Sequence, residues 1–346
     1  MKIAVVGAIS YPGSELIRLL VGHPGGLHVE EVVSVSAPGT LISDSVPSLR
    51  GYCDLTLEPF DVDALAGRVD TVVLSVPHTV AQEYVPHLLE AGLRVVDFSA
   101  DYRLHQADLY DEWYHESHKS PHLLERAVYG LPERYRNRIP DATLVANPGC
   151  YPTCAILGAL PLIEHDMVEP NSLIVDAKSG ISGASKKPSE KTHFVAREAN
   201  VTAYNVGIHR HTPEIEQELS VVAASPVQVT FVPHLVPMSR GILSTIYASL
   251  RTRTTQQELI DVYQTRYKAE TFVHVLGAEE FAETKAVLGS NNVHVSVHLD
   301  SRNDRVVVTC ALDNLVKGAA GAAVQNLNLM AGLPEATGLR LPGLMV

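Results

Sequence analysis

The sequence predicts an α/β chain in two parts: a doubly wound parallel sheet, then an α+β domain built on a mainly antiparallel sheet. Three observations carry this. Residues 1–100 alternate short apolar runs with amphipathic stretches, the pattern of strands feeding crossover helices. Beyond about residue 170 the apolar runs lengthen and alternate with polar positions, as in strands covered on one face. The 346 residues, 46% hydrophobic and 19% charged, are enough for two cores.

The elements follow in order. "KIAVVGA" is a buried strand that stops at Gly7, and "GSELIRLLVGH" from Gly13 has helical spacing. "HVEEVVSVS" and "DTVVLSVP" are strands, "VAQEYVPHLLEAG" is a helix closed by Gly92, and "LRVVDFSA" is a further strand. Residues 102–142 lack periodicity and read as surface or lid material over a sheet edge. "ATLVANPG" returns to strand and turn. The later strands are "NSLIVDAKSG", "VQVTFVPHLVP", "GILSTIYASL", "VHVSVHLD" and "RVVVTCALD". "NLVKGAAGAAVQNLNLMAG" is a closing helix, in which Gly318 and Gly321 allow close backbone approach; it is expected to return to the first domain. The expected domains are 1–149 with 314–346, and 150–313.

A formal charge of -12 argues against nucleic acid and anionic membrane surfaces as partners. Small molecules and copies of the chain itself remain. The N-terminal apolar run is too short for a spanning helix or a signal peptide. Four cysteines, Cys53, Cys150, Cys154 and Cys310, show no C-x-x-C pairing, so a reducing, cytoplasmic setting is expected and no metal site is suggested.

"GAISYPG" sets Gly7 and Gly13 around a strand-to-helix turn, where backbone N–H groups and a helix dipole hold a pyrophosphate. A plain topological turn reads the same way. Ser34 and Ser36 end the second strand, with Glu30 and Glu31 placed before it. Hydroxyls rather than an acid at the tip are compatible with NADP; the alternative is that they cap a loop.

In "NPGCYPTC", Pro152 is tolerated only in a first helical turn, which sets Cys150 at or beside the N-cap, where the dipole favours a thiolate. Asn147, Gly149 and the helix-start N–H groups would form a pocket for developing negative charge. Cys154 reads as core. A thiolate nucleophile also needs a proton carrier. Among sixteen histidines, "GIHRHTPEIEQEL" offers His209 and His211 just before a helix with Thr212 as N-cap and Pro213 at the first position. In an extended stretch they point to opposite faces, so one meets the cysteine, and His211 is taken as that one. "AKSGISGASKKPSEKTHF" groups Ser179, Gly180, Ser182 and Gly183 with Lys186 and Lys187; it suits either a nicotinamide amide or anionic substrate, or a solvated hairpin. Arg103 follows the fourth strand, where it can clamp a phosphate or carboxylate.

These residues, together with "DFSADYRL", "YGLPE", "ANPGCYPT", "PHLVPMSRGILSTIYA" and "DNLVKGAAGAAVQNLNLMAGLPEATGL", closely resemble the aspartate-semialdehyde-dehydrogenase-like family nearly end to end. Within it, "NPGCYPT" is similar to the branch that reduces N-acetylglutamyl 5-phosphate in arginine biosynthesis. A one-carbon-longer aminoadipyl phosphate, as in lysine biosynthesis, and a nucleotide-binding homologue without turnover are the competing readings. The resemblance implies a Rossmann domain completed by the C-terminal helix, an α+β catalytic domain, NADP(H) as cofactor and a homodimer or homotetramer. It also implies a scheme: Cys150 attacks the acyl phosphate, phosphate leaves, the thioacyl enzyme is reduced with NADPH, and the hemithioacetal collapses to the semialdehyde. His211 would be the base. Arg103, Asn147, Ser182, His209, Arg210 and Glu214 would serve the substrate, with Glu214 and Arg210 orienting it or the base. Gly7, Ala8, Ser10, Tyr11, Pro12, Gly13, Ser34, Ser36, Pro77, Ser179, Gly180, Gly183 and Asn314 would serve the cofactor.

Two departures stand out. Ser10 occupies the place of a middle glycine, where a side chain crowds a pyrophosphate or demands a shifted turn. "GSNNVHVSVHLD" also differs from the family's usual pattern, on a strand expected near a subunit contact or the active-site rim.

Overall fold

A computed structural model describes residues 1–345. It has two compact units: Met1–Pro148 with Ala319–Arg340, and Gly149–Gly318 with the chain from Leu341 onward.

The first unit holds a seven-stranded sheet in the order β3-β2-β1-β4-β5-β7-β6. Its strands are β1 (Lys2–Val6), β2 (His28–Val33), β3 (Leu57–Glu58), β4 (Thr71–Leu74), β5 (Arg94–Asp97), β6 (Val128–Tyr129) and β7 (Leu144–Ala146), and every pair is parallel. The order reverses between β1 and β4, so the loops after these two strands border the crevice where open α/β sheets bind ligands. Ile3, Ala4, Val5 and Val6 are all buried, as a strand covered on both faces requires.

The helix Tyr11–Leu20 starts at Ser10, whose Oγ accepts the Gly13 N–H at 3.0 Å and lies 2.7 Å from Ser75 Oγ. Residues 102–142 are not a surface lid. Tyr102, Leu104, Tyr110, Leu123 and Leu124 join the core that covers β1, β4 and β5, and Val128–Tyr129 adds the edge strand β6. The return helix, Gly321–Met330, packs on the helix Tyr11–Leu20 and on β5. Buried Asn326 ties it down by donating to Gly130 O (3.0 Å) and Asn147 Oδ1 (3.1 Å).

The second unit carries β8 (Ile174–Ser179), β9 (Thr202–Ala203), β10 (Thr230–Leu235), β11 (Ile242–Ser249), β12 (Val273–Val275), β13 (Val293–Asp300) and β14 (Arg305–Leu312). Their order is β12-β13-β14-β11-β8-β10-β9, antiparallel except for β8 with β10 and β12 with β13. The helix Cys150–Glu164 lies on β11 and β14 and is buried from Tyr151 to Ile163, so it is apolar on every side. The helix Thr212–Ala223 packs against it. The boundary expected at Asn314 falls later: Asn314 is bonded to Ser182 and Gly241 of the second unit, and the Leu344 N–H donates to Leu288 O (2.8 Å).

Ser10→Ala removes the cap of the first helix and should lower stability by about 1 kcal/mol, whereas Ser10→Gly should cost only a few tenths. Denaturant midpoints of the two variants check this.

Candidate active site

The helix Cys150–Glu164 has Gly149 as its N-cap (φ −68°, ψ 149°), which makes Cys150 its first residue and Pro152 its third. A proline fits there because the first-turn N–H groups have no partner inside the helix. Cys150 is partly exposed; Cys53, Cys154 and Cys310 are buried, and Cys154 Sγ donates to Cys310 O at 3.1 Å. The Gly149 N–H does not await a ligand, as the sequence suggested: it donates to Glu214 Oε1 at 2.8 Å. Glu214 is completely buried, so its carboxylate acts on the cysteine helix rather than on solvent. On another side, a Cβ at Gly318 would lie 2.8 Å from Cys150 Cβ and 3.2 Å from its Cα. Only glycine lets the two backbones approach so closely.

His209 and His211 are not on an extended strand. Gly207 (φ +74°) turns the chain, the His211 N–H donates to His209 Nδ1 (3.1 Å) and the Thr212 N–H to His209 O (2.9 Å). The two rings are 4.9 Å apart, and both meet the Tyr151 ring, at 5.9 and 6.0 Å. His211 is the N-cap of the helix Thr212–Ala223, one residue earlier than expected, and Thr212 is its first residue. Burial, helped by the charge of exposed Arg210, pushes His209 down to about 4. Its Nδ1 accepts a bond, so the neutral ring carries its proton on Nε2.

Sequence reasoning missed two tyrosines. The Tyr151 hydroxyl donates to His234 O (2.9 Å) and also bonds Ser179 and Tyr204, joining the cysteine helix to the end of β8. Burial pushes the Tyr204 phenol up to about 12, its bond with Tyr151 opposing and the nearby Cys150 adding to the rise. Tyr151 follows the cysteine directly, which is a signal in itself; nothing local marks Tyr204.

The turn after β8 is built rather than loose. A Cβ at Gly180 would lie 2.7 Å from Arg240 N, and the N–H groups of Gly180, Ile181 and Ser182 donate to Gly241, Met238 and Ser239. Asn314 Nδ2 donates to Ser182 Oγ (3.0 Å) while its Oδ1 accepts the Gly241 N–H (2.7 Å). Gly183 lies beside Ser179, whose Oγ a Cβ there would approach to 2.9 Å. Lys186 and Lys187, just beyond, are exposed.

The other expected residues belong to the first unit. Gly7 (φ +79°) would place a Cβ 2.1 Å from Ser75 O, and Gly13 one 2.4 Å from Gly7 O, so the turn is a cradle that side chains would fill. Ser10 has an ordinary extended backbone (φ −68°, ψ 162°), needs no glycine, and spends its hydroxyl on the cap and on Ser75. Ala8 is buried, Tyr11 and Pro12 open the helix, and Pro77 is exposed. Ser34 and Ser36 directly follow β2, with their hydroxyls 3.3 Å apart. Glu30 and Glu31 lie within β2 rather than before it, where Glu31 pairs with Arg68 (2.5 Å). Arg103 is buried and donates through Nε to Asn147 O (2.9 Å) and through Nη2 to Phe98 O (2.7 Å). The Asn147 amide donates to Ala319 O (3.0 Å), a bond within the fold that the sequence did not suggest. Nearby Asp97 is fully buried; burial and the neighbouring Asp101 push it up to about 7, against its hydrogen bonds from Ser99.

A glycine cradle at the reversal of a parallel sheet, and a cysteine opening a helix over a mixed sheet, define a two-domain semialdehyde-dehydrogenase-type protein. Residues 2–142 match the family model "Semialdehyde dehydrogenase, NAD binding domain", and residues 150–314 match "Semialdehyde dehydrogenase, dimerisation domain". The chain is 48% identical to the N-acetyl-gamma-glutamyl-phosphate reductase of Desulforamulus reducens, over 99% of both chains. It is 49% identical to that of Citrifermentans bemidjiense, over 99% of this chain and 98% of the relative. It belongs to the N-acetyl-gamma-glutamyl-phosphate reductase family. In fold it is similar to aspartate semialdehyde dehydrogenase II of Vibrio cholerae, at a TM-score of 0.72 and 17% identity over 96% of this chain and 98% of that one. The Candida albicans aspartate semialdehyde dehydrogenase solved with NADP gives 0.69, also at 17% identity, over 95% of this chain and 98% of that one.

Gly318→Ala should drive a methyl into Cys150 and lower both turnover and the rate of Cys150 alkylation by an external reagent, which mass spectrometry can follow. For His209, a folded value near 4 against an ordinary 6.5 means that the unfolded chain binds more protons between these values. Its contribution to stability is therefore complete above 6.5 and lost as pH falls toward 4. His209→Gln should flatten the decline of melting temperature on acidification from about pH 7 to about pH 5.

Proposed function

We propose that the protein reduces N-acetyl-L-glutamyl 5-phosphate to N-acetyl-L-glutamate 5-semialdehyde and phosphate with NADPH, through a thioester on Cys150. The observation that carries this is Cys150 itself: partly exposed, first in its helix, and flanked by Tyr151, on which both candidate histidine rings rest. The Cys150 thiolate attacks the acyl carbon, and the carbon–oxygen bond to phosphate breaks. Negative charge developing on the carbonyl oxygen meets the positive end of the helix dipole.

The glycine cradle fits a dinucleotide: Gly7, Ala8, Tyr11, Pro12 and Gly13 would hold its pyrophosphate, and Ser34 and Ser36 its ribose. When bound, the cofactor supplies the hydride that the thioester carbon accepts. His211 takes the thiol proton at the start; after reduction the adduct's oxyanion re-forms the carbonyl as the carbon–sulfur bond breaks, and His211 returns the proton to the departing Cys150 sulfur. His209, neutral across the working range, receives the His211 N–H and so fixes the turn on which His211 sits. Glu214 holds the helix start that presents the cysteine.

The second sheet supports a homo-oligomer, a homodimer or homotetramer. Ile246, Val308 and Cys310 face the helix Cys150–Glu164, against Gly158. Ile174, Tyr247 and Val307 pair in register on the opposite face, half-exposed, where a second copy would cover them.

In the reverse direction the protein should reduce NADP only when both N-acetylglutamate 5-semialdehyde and phosphate are present, and Cys150→Ala should lose turnover by several orders of magnitude. Turnover without phosphate, or a fully active variant, rejects the scheme.

A further inference from the structure

Arg197 is only 8% exposed, and among the described residues its Nε has no hydrogen-bond partner. Among the described residues it also has no ion pair. Other arginines of the chain show the usual remedy: Arg94 donates to the carbonyls of Ala142, Met330 and Pro140, and Arg266 pairs with Glu164. A sealed Nε–H without an acceptor is costly, and an anion from outside the chain that bonds the guanidinium removes that cost.

The sheet register sets the end of the sheet from which the Arg197 segment leads into β9. β10 runs parallel to β8 with Leu235 beside Ser179, and β9 runs back along β10 with Thr202 beside Leu235. At the same end Ile242 pairs with both Ser179 and Leu312, and the chain beyond Leu312 continues through Asn314 to Gly318, which abuts Cys150. β9 therefore begins at the end of the sheet that carries the cysteine. Arg197 stands five residues before Thr202, a reach of at most about 18 Å even when fully extended. The surrounding stretch is basic in an acidic chain: residues 185–197 hold Lys186, Lys187, Lys191 and Arg197 against a single acid, Glu190.

We propose that Arg197 receives the α-carboxylate of the substrate and is a specificity-determining residue of the reaction. The inference rests on the function proposed above. That substrate carries two anionic ends, and the acyl-phosphate end is the one engaged by Cys150. The carboxylate at the other end is planar and matches the guanidinium fork.

The test compares kcat/KM in the oxidative direction for N-acetylglutamate 5-semialdehyde and for 4-acetamidobutanal, the same aldehyde with hydrogen in place of the carboxylate. Wild type, Arg197→Leu and Arg197→Lys are each assayed with NADP and phosphate. Wild type should favour the carboxylated aldehyde, and Arg197→Leu should shrink that preference by roughly 10- to 100-fold, mainly through KM. Arg197→Lys, a point charge without the fork, should retain part of it. Arg197→Leu deletes a charge that no group among the described residues neutralises, so its melting temperature should not fall. Should it unfold nonetheless, the lysine variant carries the comparison.

A preference unchanged in the variants, while wild type turns over, overturns the inference and leaves the proposed function standing. An unchanged preference together with dissociation of the oligomer in sedimentation also overturns it, and assigns the anion to a second copy. Wild type inactive on both aldehydes rejects the functional reading, and the inference with it.

Discussion

A carboxylate sealed from water needs a donor, and for Glu214 that donor is the Gly149 N–H at the mouth of the cysteine helix. Left unmatched, such a charge would destabilise the fold by several kcal/mol; matched to a helix N-terminus, it locks one helix to another. The same bond sets the reactive geometry. Glu214 stands three residues after His211, and Gly149 one before Cys150, so a single contact fixes the spacing of the histidine turn and the nucleophile. Gly318 closes the arrangement from another side, where the smallest residue lets a loop touch Cys150.

Around that bond the second unit is layered predictably. The cysteine helix is apolar all round because it is held between the sheet and another helix, and Cys154 disappears into that layer. The hydroxyl of Tyr151 reaches the end of β8, and Asn314 fastens the turn that follows to the chain around Gly241.

Much of this was legible in the sequence, for physical reasons. Alternating apolar runs and glycine stops announced the parallel sheet, and a proline two residues after Cys150 announced a helix that opens at the cysteine. The rest depended on contacts distant in the chain. Tyr102, Tyr110, Leu123 and Leu124 are core residues, but turns and tight helical pieces separate them and erase any period. The histidines looked like an extended pair because the bend at Gly207 depends on the bonds that His209 makes to the residues after it. Glu214 had the look of an ordinary first-turn acid; only the packing of two helices made it a cap for the other one. Ser10 looked like an obstruction, yet its backbone is relaxed and its hydroxyl faces inward.

The order in which the chain is made gives the return helix a further consequence. The second unit is almost one continuous piece, 149–318, whereas the first is interrupted and waits for 319–340. A ribosome therefore exposes the parallel sheet long before it delivers the helix whose Asn326 engages Gly130 and Asn147. At about 5–20 residues per second, the sheet spends on the order of ten seconds or more with that site uncovered. Nascent chains are thus open to chaperone capture on this face, and translation speed through the second unit sets how long the opening lasts.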